Sequence, residues 1–301
     1  MCMAMISDAT PARRRGVAIM APFLAMGLGA VSAGVLASFF TGPGEWRQAL
    51  IICPTLSFGA AILCWIWLKE PAASLERRAA AAAGGIARQS QSPMHLFSPN
   101  HLVGTLMLWL LFICCIVVNT CLHAWLPAML VGLDYEKGTA ALAASAFSAG
   151  GLIGGLLIGP LIDRFGSSRT MPVFFVTGTI LFLAVAAAMG GGASPQVLLT
   201  LIAIAGTFFL GGFGGANVML TQFYSPALRA VGTGWAKSVG RVGTVAAPAL
   251  VGVALAAGAG ERDIMTITAI PAAAAALAAA VVGIRIRKQT RSAHLEAASP
   301  G

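Results

Sequence analysis

Residues 102–126 read LVGTLMLWLLFICCIVVNTCLHAWL, a run without one Lys, Arg, Asp or Glu. About 20 such residues in a helix, at ~1.5 Å each, cross the ~30 Å hydrocarbon core of a bilayer. The run is continuous and does not alternate apolar with polar, which favours a spanning helix over a barrel strand. Seven other segments read the same way: Val17–Phe40, Trp46–Leu68, Thr139–Ile162, Met171–Met189, Val197–Leu220, Ala230–Ala257 and Ile264–Ile286. The predicted fold class is an all-α polytopic membrane protein with about eight transmembrane helices.

The composition excludes most other classes. Only 10% of the 301 residues are charged, 58% are hydrophobic, and the mean hydropathy is +0.85. A soluble domain carries about 25% charged residues, and a chain this apolar has too little polar surface to cover itself in water. The net charge of +9 sits in short segments between apolar runs. It forms no basic face interleaved with aromatics, so no nucleic-acid partner is expected. The six cysteines form no C-x-x-C pair and read as small buried hydrophobes. No G-x-x-x-x-G-K-[ST], H-E-x-x-H or G-x-S-x-G pattern is present, so the sequence predicts no nucleotide, no metal, no cofactor and no enzymatic site. The partner implied by composition is the lipid bilayer.

The basic residues set the orientation. With the eight spans in place, fourteen of the nineteen Lys and Arg residues fall on the side that holds the N-terminus. Arg47, Lys137 and Arg262 fall on the other side, and Lys237 and Arg241 lie within a span. Such a bias marks the cytoplasmic side, so both termini are expected there. The segment from Lys69 to His101 is the one long connection, charged and rich in Ala, Gly, Ser and Gln. The expected division is two helices in 1–68, a cytoplasmic loop in 69–101, a six-helix bundle in 102–286 and a cytoplasmic tail in 287–301.

The chain also echoes itself. Thr10-Pro11-Ala12-Arg13-Arg14-Arg15-Gly16 and Ser225-Pro226-Ala227-Leu228-Arg229-Ala230-Val231-Gly232 both place a hydroxyl residue before Pro-Ala and an Arg three residues after the Pro. Locally each is a good helix start, with a capping hydroxyl and a proline in the first turn. Each is also followed by two spans, the sign of a duplicated bundle.

These stretches resemble the major facilitator superfamily, and within it the aromatic acid:proton symporters. Gly159-Pro160-Leu161-Ile162-Asp163-Arg164-Phe165-Gly166 resembles that superfamily's G-x-x-x-D-R-x-G signature in its second-half copy. Trp125-Leu126-Pro127 resembles the end of the seventh helix in organic-acid members. The stretch Tyr224 to Trp235, followed by Gly240-Arg241-Val242-Gly243, resembles the joint between helices ten and eleven. One departure is clear: Ser167 and Ser168 stand where basic residues usually follow the signature. The resemblance implies that these residues are helices five to twelve of a twelve-helix, two-bundle transporter of the bacterial inner membrane. It further implies symport of protons with a small organic anion, an aromatic carboxylate. Another metabolite as substrate, or a fragment that does not transport, are the alternatives.

Candidate site residues follow. Arg241 lies twelve residues after Arg229, about 18 Å along a helix and so near mid-membrane, where an Arg costs ~2.5–3.5 kcal/mol on insertion scales. Its guanidinium would bind a substrate carboxylate in two-pronged fashion, or else be held by a buried acidic or carbonyl partner. Lys237, one turn earlier, would add positive charge or snorkel to the interface. Asn217 is deep enough to face a cavity. Asn119 and His123, also one turn apart, would touch a ligand, or His123 would hydrogen-bond near the interface. Asp163 and Arg164 read as conformational. Asp163 would meet the helix start at Thr10 to Arg15, where Arg14 and the helix dipole attract it, and so latch the cytoplasmic side. Arg229 would play the matching part for the other bundle. Gly151, Gly155 and Gly159, and likewise Gly211 and Gly215, read as stripes for close helix contact.

Overall fold

The computed structural model describes residues 93–99, 101–225 and 228–298, with scattered helical positions between 27 and 62. The chain divides into two compact units, Met1–Gln89 and Ser90–Gly301. In the first unit the described positions are helical, and Ser32 and Thr55 donate their hydroxyls to carbonyls three and four residues back. The spans expected at Val17–Phe40 and Trp46–Leu68 lie largely outside the described residues, as do Arg14 and the 69–92 part of the long connection.

The described residues of the second unit form helices joined by short turns. A short 3-10 turn, Pro93–Phe97, leads into α1 (Leu102–Gly132), α2 (Lys137–Phe165), α3 (Ser167–Gly190), α4 (Pro195–Phe223), α5 (Arg229–Gly240), α6 (Val242–Ala256) and α7 (Glu261–Ala298). With α5 and α6 counted as one interrupted span, six helical stretches are long and apolar enough to cross a membrane. They match the six spans expected after residue 101. The helices outrun the expected spans at their ends: α1 continues through the apolar stretch from Pro127 to Gly132, and α7 continues through a basic stretch to Ala298.

Packing follows membrane logic. Lipid tails are as apolar as leucine, so helices gain by close contact between small residues and not by hiding large ones. In α7 the alanines Ala272, Ala275, Ala276 and Ala279 are buried, while Ile270 and Leu277 are 68% and 66% exposed. These four alanines thus form a smooth inner face against α1 and α3.

The closest approach is between α2 and α4. A Cβ on Gly150 would strike the Ala203 carbonyl, one on Gly154 would strike the Thr207 carbonyl, and one on Gly206 would strike the Phe147 carbonyl. Gly211 lies directly over the backbone of Gly154. The stripe expected at Gly151, Gly155 and Gly159 is therefore displaced by one residue. Gly151 meets only the Leu210 side chain, and Gly155 and Gly159 meet no described atom. Gly215 is tight, as expected, against Met171 and Ile158.

One end of the unit is knitted by polar links. The Tyr224 hydroxyl donates to Thr105 Oγ1 at 3.1 Å, and Thr105 donates to the Leu96 carbonyl at 3.2 Å. The Tyr224 ring fills the space left by Gly232, and Phe223 that left by Gly104. The same end holds Asp163 and Arg164, and we call it the basic end. At the far end the Tyr135 hydroxyl donates to the Ala193 carbonyl at 2.8 Å. There, too, Gly132 and Gly190 make room for the side chains of Glu261 and Arg262.

Candidate functional site

The span that carries Arg241 is interrupted at Arg241 itself. α5 ends at Gly240 and α6 begins at Val242. Between them the Arg241 N–H donates to the Ser238 carbonyl at 3.2 Å, and its carbonyl accepts the Thr244 N–H at 2.9 Å. Both bonds span three residues instead of four, which tightens the turn. Glycines on either side let the kink press on α1. A Cβ at Gly240 would stand 3.0 Å from Phe112 Cβ, and one at Gly243 would stand 2.6 Å from the Ile113 carbonyl. Pro248 inside α6 has no N–H, so the Thr244 carbonyl lacks its helical donor as well.

The kink turns its charged face outward. Gly232, Ala236, Gly240, Gly243, Ala247 and Val251 are buried, whereas Lys237, Ser238 and Arg241 are exposed on the opposite stripe. This span is the least buried of the six. Neither Arg241 nor Lys237 pairs with an acid among the described residues. A buried acidic partner for Arg241 is thus not found there.

Asn217 stands near this level on α4. Phe112 touches Gly240 on one side and meets the Phe213 ring edge-on at 5.8 Å on the other. The Asn217 amide donates to the Phe213 and Gly214 carbonyls at 3.4 and 3.2 Å, while its Oδ1 is enclosed and has no partner among the described residues. The amide is thus turned onto its own helix, beside the open space at Gly214.

Asn119 borders this level on α1, and His123 lies beyond it. The Arg241 kink rests on Phe112 to Val117 of α1. From there His123 is roughly 10–16 Å further toward the far end by helix rise. Both side chains are half-buried. The His123 ring meets the edge of Phe147 on α2 with centroids 5.5 Å apart.

The signature loop is built for rigidity. Gly166 turns the chain at φ +81°, where L side chains rarely sit, and the Thr170 hydroxyl holds its carbonyl at 2.9 Å. Asp163 and Arg164 are exposed, the Arg164 guanidinium 5.4 Å from the Phe165 ring centroid. Neither pairs with a described residue of opposite charge. The two serines that replace the usual basic residues are engaged. Ser167 donates to Gln222 Oε1 at the end of α4, and Arg287 Nε on α7 donates to Ser168 Oγ at 2.8 Å. Sequence reading missed this clamp because its partners lie 55 and 119 residues apart. It missed the Tyr224–Thr105 link too, although a threonine inside an apolar run was a signal. Burial pushes the Tyr224 phenol above its ordinary pKa, and the Thr105 hydrogen bond pulls less strongly the other way. The phenol therefore remains a neutral donor. Arg229 is exposed at the start of α5, and Pro226 and Ala227 lie outside the described residues.

Comparison with known proteins agrees with this architecture. The family model described as Major Facilitator Superfamily matches residues 1–141 and again residues 108–299. The chain is similar to the 3-(3-hydroxy-phenyl)propionate transporter of Escherichia coli, 30% identical over 89% of this chain and 63% of the relative. It is 24% identical to the 4-hydroxybenzoate transporter PcaK of Pseudomonas putida, over 93% of this chain and 67% of the relative. It is 26% identical to the gallate transporter of the same organism, over 90% and 65%. The chain thus spans about two thirds of the length of these relatives. An all-helical unit with six apolar spans and family matches that together cover nearly the whole chain lead to one conclusion: this protein belongs to the Major Facilitator Superfamily of membrane transporters.

Proposed function

We propose that the protein takes part in proton-coupled transport of a small aromatic carboxylate across a bacterial inner membrane, with both termini cytoplasmic. The observation that carries this reading is the interruption of a membrane span at Arg241. Broken helices at mid-membrane mark binding sites in transporters, because a kink exposes backbone dipoles and charged side chains to a cavity. A guanidinium there is costly and matches a carboxylate in shape and charge. Lys237, one turn away on the same stripe, adds attraction. Asn217 joins them when its amide swings from its own helix to the ligand. The names of the three relatives, each a transporter of an aromatic acid, support the substrate class. Transport then proceeds by two bundles rocking about this level, with Asp163, Arg164, Arg14 and Arg229 closing the cytoplasmic side.

The test is equilibrium binding of 4-hydroxybenzoate to the purified natural protein, with sugars as competitors. Charge-assisted hydrogen bonds contribute about 1.5–3 kcal/mol, so Arg241→Ala should weaken binding roughly 10- to 150-fold. Arg241→Lys should recover part of the loss, since it keeps charge but loses the fork. Unchanged affinity in Arg241→Ala, or displacement by sugars and not by benzoate-like acids, would sink the proposal.

A further inference from the structure

We propose that the outer groove between α3 and α7 binds an anionic phospholipid, with its phosphate on Arg169, Arg287 and Lys288 and an acyl chain along the apolar walls beneath them. The inference uses only the packing of these two helices and does not depend on Arg241.

The groove starts where two backbones touch. A Cβ on Gly283 of α7 would stand 2.8 Å from the Ser168 carbonyl oxygen at the start of α3. One turn later Arg287 Nε donates to Ser168 Oγ at 2.8 Å. That bond holds the guanidinium at the mouth of the groove. It uses one of five donors, and the terminal nitrogens make no further bond among the described residues.

Helix phase decides what else faces the groove. Successive helical residues turn by about 100°. On α3 the exposed Arg169, Val173, Val176 and Ile180 fall within about 60° of one another. On α7 the exposed Leu277, Ile284, Lys288 and Arg291 do the same. Each stripe lies roughly a quarter-turn around its helix from the Ser168–Arg287 contact. Helix α3 starts at the basic end and α7 runs back to it, so the two quarter-turns open to the same side. Two apolar walls thus share one outer face, and both are crowned by cations at the same end.

Charge makes the face selective. Neither α3 nor the stretch of α7 from Ile264 to Arg291 contains an Asp or Glu. At the far end of the face α3 finishes in uncharged residues, and α7 begins with Glu261, Arg262 and Asp263. A cationic crown therefore stands at one end only. Long basic side chains reach from apolar surface up to the interface, and basic pockets between spans suit anionic head groups. A zwitterionic lipid brings its own ammonium and gains little from this crown. An anionic phospholipid matches both the crown and the walls. Each cation so placed should strengthen binding about fivefold.

The experiment titrates the purified natural protein in detergent with phosphatidylglycerol or phosphatidylcholine of identical acyl chains. Native mass spectrometry follows the first bound lipid. Phosphatidylglycerol should bind at least about tenfold tighter, and raising ammonium acetate from about 50 to about 300 mM should cut that preference severalfold. Arg169→Gln and Lys288→Gln should each weaken phosphatidylglycerol about fivefold and leave phosphatidylcholine unchanged. Arg287 is spared, because its loss would also undo the bond to Ser168. Arg229→Gln removes a charge at the same end from a helix that touches neither α3 nor α7, and its affinity should stay within about twofold. Equal affinity for the two lipids, or a loss in Arg229→Gln as large as in the groove variants, overturns the proposal. Displacement of the lipid by about 10 mM inorganic phosphate would make this a site for free anions and overturns it equally. A dimer that binds no lipid assigns the face to a second copy and also overturns it. If neither groove variant accumulates, a preference for phosphatidylglycerol that ignores salt overturns the proposal by itself.

Discussion

Tyr224 shows how a single residue turns sequence into architecture. Its ring occupies the volume that Gly232 leaves empty, and its hydroxyl crosses to Thr105 on α1. The residue thus fixes the start of α5 against α1, the two elements that present the Arg241 kink. Burial keeps the phenol neutral, so the bond persists across physiological pH. A net intramolecular hydrogen bond contributes about 0.5–1.5 kcal/mol. Tyr224→Phe should therefore lower the stability of the protein in detergent by about 1 kcal/mol while the ring still fills its place. Gly232→Val should cost more, since any Cβ meets the ring. The check is thermal unfolding of both variants side by side. Equal losses would mean that the hydroxyl, and not the ring, sets the joint. The stretch from Tyr224 to Trp235 was legible as a joint between helices. The partner of Tyr224 was not, because Thr105 lies 119 residues away.

At the scale of elements, the six apolar runs after residue 101 were read correctly as spans, and faces were not. Six spans followed from run length alone, since a bilayer demands about 20 apolar residues per crossing whatever the details. The interruption at Arg241 was invisible: Gly240-Arg241-Val242-Gly243 is compatible with a straight helix until α1 presses into both glycines. The glycine stripes of α2 were misassigned for a related reason. Glycines at 150, 151, 154, 155 and 159 give two stripes of four-residue spacing, and spacing alone cannot say which faces α4. The structure selects 150 and 154. This gives a paired prediction. Gly154→Ala drives a methyl group into the Thr207 carbonyl and should destabilise the protein by about 1–3 kcal/mol, as overpacking does. Gly155→Ala meets no described atom and should be neutral or stabilising by up to ~1 kcal/mol, since alanine has the better helix propensity. Heat-induced precipitation of detergent extracts separates the two. Similar behaviour of both variants would return α2 to the sequence-derived register.

At the scale of the whole molecule, sidedness decides which way Asp163 faces. The lysines and arginines cluster at the end that holds Arg164, Arg169, Arg229 and Arg287, against Lys137 and Arg262 at the other. Basic loops remain on the cytoplasmic side because moving them across is costly. The same end carries the Ser167–Gln222 and Ser168–Arg287 clamps, which join the starts of α3, α4's end and α7 into one rigid rim. A rigid rim suits a latch, because a charge on it can engage or release without its own helices shifting. Phe165 is 51% exposed on that rim. In a variant whose native thiols are replaced, Phe165→Cys should react with a membrane-impermeant maleimide in inverted vesicles and not in right-side-out ones. If Asp163 also holds this end closed, adding Asp163→Asn should speed the labelling several-fold, since the carboxylate that engages the opposite helix start is gone. Reaction from the outside would reverse the topology and remove the latch with it. Inside-only reaction at an unchanged rate would keep the topology and reduce Asp163 to a surface charge worth ~0–1 kcal/mol.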